Sequence, residues 1–154
     1  MTRLVLDRVT RIDAPLDKAF AFFSFHRNLQ EITPPWARFR IAACPSDRLH
    51  EGDRIEYRFR VFGLPMRWTA RITAYRENEI FADFQERGPF RYWLHTHSFR
   101  ADGDATVMHD HVEYELPFGF LGRWFGARLV RRRLEAIFDY RAEQLHRGTL
   151  TIRP

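Results

Sequence analysis

In the run Trp93-Leu94-His95-Thr96-His97-Ser98-Phe99, two histidines alternate with small or aliphatic residues between two large aromatic ones. In an extended chain residues i and i+2 share a face, so if Trp93 and Phe99 choose the buried face, His95 and His97 go with them. The next run follows the same rule: Met108, Val112, Tyr114 and Leu116 pick the inner face and carry Asp110 with them. In the preceding run Phe81 is the inward marker and brings Asp83 and Gln85, although Phe84 competes for the phase. The expected inner face is thus an aromatic lining interrupted by Asp83, Gln85, His95, His97 and Asp110.

Buried ionisable groups cost several kcal/mol each unless paired or hydrated, so their concentration on one face needs a reason. Hydrogen bonds between His and Asp across the sheet are the simplest. A partly hydrated ligand cavity, apolar with a few polar anchors, is a second. A His–Asp couple, His95 or His97 with Asp110, also has the parts of a general base, the carboxylate fixing the imidazole tautomer. Two His at i and i+2 with two carboxylates have the donors for a metal, but His-x-His on a strand arises often by accident, and no metal or other cofactor is expected. Cys44 lies in a proline-flanked segment with no His nearby, so nothing ties it to a base.

These residues need elements to hold them. From about Gly119 to Arg147, Phe120, Ala127, Val130, Leu134, Ile137, Phe138 and Leu145 form one helical stripe, with Arg132, Asp139, Glu143 and Arg147 opposite. Upstream, residues 3–12 alternate as a half-buried strand, with Leu4, Leu6, Arg8 and Thr10 on one side. Asp13 before Ala14-Pro15 reads as the N-cap of a short helix through Phe23, and 26–32 as a second, ended by Thr33-Pro34-Pro35-Trp36. From Phe39 the period becomes two. Ile55, Tyr57, Phe59 and Val61 share a face, as do Trp68, Ala70, Ile72 and Ala74. Gly63-Leu64-Pro65, Gly88-Pro89-Phe90 and Asp102-Gly103-Asp104 turn the chain, and such short turns make antiparallel neighbours.

Composition bounds the rest. The 154 residues fit one domain, which at that length hides roughly 70% of its unfolded surface. With 45% hydrophobic residues and 24 aromatic ones (15 Phe, 5 Tyr, 4 Trp), the chain is not disordered. One cysteine forms no internal disulfide, and the first residues carry no apolar run long enough for a leader or span, so a reducing cytoplasm is the expected compartment. The net charge of +5 is scattered arginine. The single run, Arg131 to Arg133, fans around its helix instead of forming a stripe, which argues against nucleic acid as a partner.

The order of strand, two short helices, antiparallel sheet and long final helix resembles the START-like, or helix-grip, superfamily, and the likeness spans nearly the whole chain. The stretches that carry it are Ile12-Asp13-Ala14-Pro15, Asn28-Leu29, Ile32 to Trp36, Gly88-Pro89-Phe90 with Trp93, His95 and His97, Asp110 to Pro117, and Leu134 to Arg141. The local sequence is similar to bacterial ligand-binding or polyketide cyclase/dehydrase-type members. The resemblance implies an α+β helix-grip fold: a curved antiparallel sheet of about six or seven strands around a C-terminal helix, two short helices after the first strand, and a cavity between. Members bind lipids, sterols, quinones, polyketides or hormones, and a minority are enzymes, so the fold does not choose.

Two functions are expected to compete. The first is binding, and transfer, of a hydrophobic small molecule such as a lipid, quinone or polyketide. Its walls would be Tyr57, Trp68, Trp93, Met108, Tyr114, Val130, Leu134 and Phe138, with Asp83, Gln85, His95, His97 and Asp110 as polar positions. Apolar burial at ~25 cal/mol per Å² would supply affinity and the anchors orientation. The second is an aromatase/cyclase or hydrolase using a His–Asp couple in the same cavity. A gate would lie near Gly119, Gly122, Gly126 and Pro34-Pro35-Trp36. Leu121, Phe125 and Leu129, with Arg123, Arg128 and Arg132 nearby, make the first half of the last helix apolar all round, which suits loop packing, a homodimer contact in place of a monomer, or a transient membrane touch.

Overall fold

The computed structural model describes residues 3–117 and 119–148, the side chains of 119–125 excepted. The side chains of Phe120, Leu121, Arg123 and Phe125, and the placement expected for Gly119 and Gly122, therefore lie outside the described residues. The strand-forming patterns produce one seven-stranded antiparallel sheet: β1 (Leu4–Ile12), β2 (Arg40–Ala43), β3 (Arg54–Val61), β4 (Leu64–Arg76), β5 (Ile80–Arg87), β6 (Tyr92–Asp102) and β7 (Ala105–Glu115). Their order across the sheet is β1-β7-β6-β5-β4-β3-β2, so apart from β1 each strand lies beside its sequence neighbour. The helices are α1 (Leu16–Ser24), α2 (Asn28–Glu31) and α3 (Gly119–His146), with a single 3₁₀ turn at Pro35–Ala37. This is the helix-grip arrangement.

Alternation decides which face is covered. Trp93, His95, His97 and Phe99 are buried while the residues between them are half-buried, and Met108, Asp110, Val112 and Tyr114 repeat the pattern on β7. The apolar inner face splits into two cores. One gathers Phe20, Phe22 and Phe23 of α1 against Ile55, Ile72, Phe81, Phe99 and Met108; the other gathers Leu134 and Phe138 of α3 against Leu6, Trp93, Val112 and Tyr114. A salt bridge of 2.7 Å from Arg8 to Asp139 ties α3 to β1.

Two expectations are corrected. Asp13 does not cap α1: its carboxylate accepts from Arg11 at 2.6 Å, and the cap position falls to Pro15, which has no side-chain oxygen to offer. On β4, irregular pairing with β5 between Ile72 and Ala74 shifts the phase by one residue. Tyr75 consequently turns inward in place of Ala74, packing edge-on to Phe20 at 5.5 Å and donating to Ser24 Oγ at 3.1 Å.

Between β3 and β4 the chain reverses over Phe62 and Gly63, with φ of +50° and +79°. Two consecutive positive φ values in a two-residue loop are the type I′ hairpin, whose twist matches the strands but whose first position strains an ordinary side chain.

Candidate functional site

Where α3 crosses the sheet it does not close on it everywhere. A cavity of about 480 Å³ remains, roofed by Val130, Leu134, Ile137 and Phe138, walled by Tyr57, Trp68, Phe81 and Trp93, and bounded toward α1 and α2 by Phe22, Phe23, His26, Leu29 and Ile32. Trp36 and Phe62, each about half exposed, and the exposed Arg133 mark its mouth. The Arg133 guanidinium lies 5.0 Å from both aromatic rings. Inside, the aromatic lining is continuous: Trp68 meets Trp93 edge-on at 5.1 Å and packs against Phe59 and Phe90.

At the inner end the lining becomes polar, in the seam between the two cores. Strand register creates the cluster: Asp83 on β5 pairs with His95 on β6, and His97 on β6 pairs with Asp110 on β7. His95 Nε2 is 2.9 Å from Asp110 Oδ1, and His97 Nδ1 is 2.8 Å from the same oxygen but outside hydrogen-bond geometry. Asp83 Oδ2 stands 3.8 Å from His95 Nδ1 and 3.6 Å from His97 Nε2. The rings are held by their neighbours, His97 stacked on Phe81 at 4.1 Å and His95 edge-on to Phe138 at 5.6 Å.

Arg141 of α3 completes the cluster. Its guanidinium lies over Phe138 at 4.9 Å, with Nη1 3.8 Å from Asp110 Oδ1. Among the described residues neither Nε nor Nη1 has a hydrogen-bond partner, and Asp110 Oδ2 is likewise unpartnered. A buried guanidinium with free donors in a cavity wall is a place for an acceptor oxygen.

Electrostatics divides the two imidazoles. Burial, then the neighbouring His97, pulls the His95 pKa below its ordinary value despite Asp110, leaving a neutral ring near pH 7. Burial also opposes charge on His97, but the two carboxylates beside it, Asp110 and Asp83, more than offset that, and its pKa rises. Burial likewise disfavours charge on Asp110, yet the two imidazoles hold its carboxyl far below the usual carboxylate range. Burial, reinforced by Asp83, pushes the Tyr57 hydroxyl well up, so it stays a neutral donor.

The sequence is matched by a family model, polyketide cyclase/dehydrase and lipid transport, over residues 12–138. The chain belongs to that family. Solved structures agree in fold: the protein TTHA0849 from Thermus thermophilus has TM-score 0.72 at 17% identity, covering 95% of this chain and 99% of that one. A START superfamily protein from Mycobacterium smegmatis reaches 0.69 at 16% identity with coverage of 96% and 100%. Norcoclaurine synthase from Thalictrum flavum reaches 0.71 at 14% identity with coverage of 98% and 88%. No curated protein sequence matches.

For this family member, nine residues singled out from the sequence line the cavity: Tyr57, Trp68, Asp83, Trp93, His95, His97, Val130, Leu134 and Phe138. Four do not. Asp110 lies behind the imidazoles, 1% exposed. Met108 and Tyr114 share the inner face but are packed solid in the two cores. The Gln85 amide closes the following turn, donating to Phe90 O at 2.7 Å and accepting from Phe90 N at 3.3 Å. It folds over Gly88, where a Cβ would come within 2.6 Å of Gln85 Cδ. Of the expected gate, Trp36 is at the mouth and Gly126 stands in open space; Leu129, of the apolar first half of the last helix, is 49% exposed. Arg141 was legible only as spacing: 134, 138, 141 and 145 are the buried positions of one helical stripe. Cys44 donates to Ser46 O, and burial raises its thiol pKa, which leaves it protonated and unreactive. No helix among the described residues is long and apolar enough to cross a membrane.

Proposed function

We propose that this chain binds, and carries, a hydrophobic small molecule with one oxygen-bearing end, of the lipid, quinone or polyketide kind. The observation that supports it is a cavity of about 480 Å³, within the usual range for ligands, whose aromatic walls end on a single polar cluster. The apolar body would lie along Trp68, Trp93 and Phe138, and its oxygen would face Arg141, His95 and His97. Family membership fits this reading without selecting a ligand.

Native mass spectrometry of protein purified without detergent tests it directly, together with quenching of Trp36, Trp68 and Trp93 by dodecanoate and dodecanol. A co-purifying molecule or saturable quenching is expected, lost when Ile137→Trp fills the roof. Absence of both rejects the reading.

A second reading has its own observation. His95 is neutral, hydrogen-bonded to Asp110 through Nε2, and turns Nδ1 toward the cavity, so it is placed to take a proton from a bound molecule. Norcoclaurine synthase shows that an enzyme can be built on this fold. Turnover of a bound polyketide-like substrate that disappears in His95→Gln, with binding retained, would establish it.

A further inference from the structure

Three donor atoms at the cavity's inner end stand at separations that hydrogen bonding does not explain. Asp83 Oδ2 is 3.6 Å from His97 Nε2 and 3.8 Å from His95 Nδ1, and all three atoms lie within 4.8 Å of one another. Hydrogen bonds of this kind close at roughly 2.7–3.2 Å. Two ligands sharing one first-row cation, with bonds of roughly 2.0–2.2 Å at tetrahedral to trigonal angles, sit about 3.3–3.8 Å apart. Both carboxylate–imidazole spacings fall in that interval.

The opposite edges of the rings fix their orientation. His95 Nε2 and His97 Nδ1 both face Asp110 Oδ1, at 2.9 Å and 2.8 Å, so protons on the neutral rings belong on those nitrogens. His95 Nδ1 and His97 Nε2 are then turned toward the Asp83 carboxylate, which leaves between the three atoms a place for a positive ion. A carboxylate behind an imidazole is also the support by which metal-binding histidines are oriented.

We propose that Asp83, His95 and His97 bind one divalent first-row transition-metal ion, with Asp110 supporting both imidazoles and the remaining coordination positions open to the cavity. Two nitrogens and one carboxylate suit zinc or ferrous iron. Two carboxylates, one guanidinium and a divalent cation leave the cluster with one positive charge, which an anionic oxygen of a bound molecule would neutralise. The inference rests on the cavity reading only for what fills those open positions; the ion needs no organic ligand to bind.

A second cluster, on the outer face, offers a contrast. There Asp7, His109 and His111 also converge. Asp7 Oδ1 is already hydrogen-bonded to His109 Nε2 at 2.9 Å and His111 Nδ1 at 2.7 Å, and all three side chains are more than a third exposed. A cation would have to break two formed bonds and shed water. In the cavity, no formed bond to Asp83 is lost.

The test is titration of Co²⁺ into chelator-stripped protein lacking a histidine tag, followed by visible absorption and by displacement with Zn²⁺. One equivalent is expected, with affinity reduced roughly tenfold or more by Asp83→Ala and by Asp110→Asn, and unchanged by His111→Ala. Asp83 is partly exposed, so its replacement leaves the core filled, and circular dichroism checks the fold. Absence of a Co²⁺ spectrum up to millimolar metal overturns the proposal. Loss of binding in His111→Ala with retention in Asp83→Ala moves the ion to the outer face and also overturns it. Dodecanoate binding measured in chelator reports separately on the cavity, so the two readings fail independently.

Discussion

His95 Nε2 and Asp110 Oδ1 stand 2.9 Å apart at the seam between the two apolar cores, with both side chains more than nine-tenths buried. The carboxylate is hydrogen-bonded to His95 and also faces the His97 imidazole and the Arg141 guanidinium. Asp110→Asn keeps the shape and removes the charge. Removing one partner of such a buried arrangement leaves others uncompensated, and a loss of roughly 2 kcal/mol or more is expected in chemical denaturation. A change within about 0.5 kcal/mol, the range of ordinary surface substitutions, would show that the cluster does not depend on this carboxylate.

Arg141 poses the opposite case. Its Nε and Nη1 donors are buried without partners among the described residues, so the ligand-free protein carries an unmet cost there. Arg141→Met keeps an unbranched apolar stem and removes the guanidinium that lies over Phe138. Stability without ligand is expected to stay within about 1 kcal/mol of the parent or to rise. Preference for dodecanoate over dodecanol, measured by tryptophan quenching, is expected to disappear. A preserved preference would put the carboxylate elsewhere.

What the sequence could and could not show follows from the same residues. Period-two alternation placed His95, His97, Asp83 and Asp110 on one inner face because each strand has only two faces and large aromatics occupy one. The face alone does not separate cavity from core. Met108 and Tyr114 share it with His95, yet the helices and loops cover them completely, and that coverage is set by tertiary packing. Residue type concealed Arg141, whose charge suggests solvent although its helical position is buried. The shift that turns Tyr75 inward has no local signature; it arises from pairing between β4 and β5.

At the mouth, Phe62 occupies a left-handed position, φ +50°, where hairpins favour Asn. An L-residue there costs roughly 1–2 kcal/mol, while an exposed stack on Arg133 returns about 0.5–1 kcal/mol. Phe62→Asn is therefore expected to leave stability unchanged or raise it by up to about 1 kcal/mol. Dissociation of a bound fluorescent fatty acid in stopped flow is expected to speed up, because the rim beside Arg133 loses one of its two rings. A loss of more than about 1 kcal/mol would mean that packing of Phe62 outweighs its backbone strain.

His26 supplies a pH dependence away from the central cluster. It is buried, its Nδ1 has no hydrogen-bond partner among the described residues, and its charged neighbours are Asp47, 3.9 Å away, and Arg27. Burial lowers its pKa, Asp47 opposing and Arg27 assisting. The unfolded chain, with the ordinary value near 6.5, takes up the proton first. Stability from the neutral ring is thus fully present above about pH 6.5 and declines as pH falls toward the lower folded pKa. His95, also lowered, contributes in the same sense and His97, raised, in the opposite one, so the informative quantity is a difference between variants. Denaturant unfolding at pH 7 and pH 5 should show a smaller loss in His26→Gln than in the parent. Equal losses would mean that the folded protein accepts a proton on His26 as readily as the unfolded chain does.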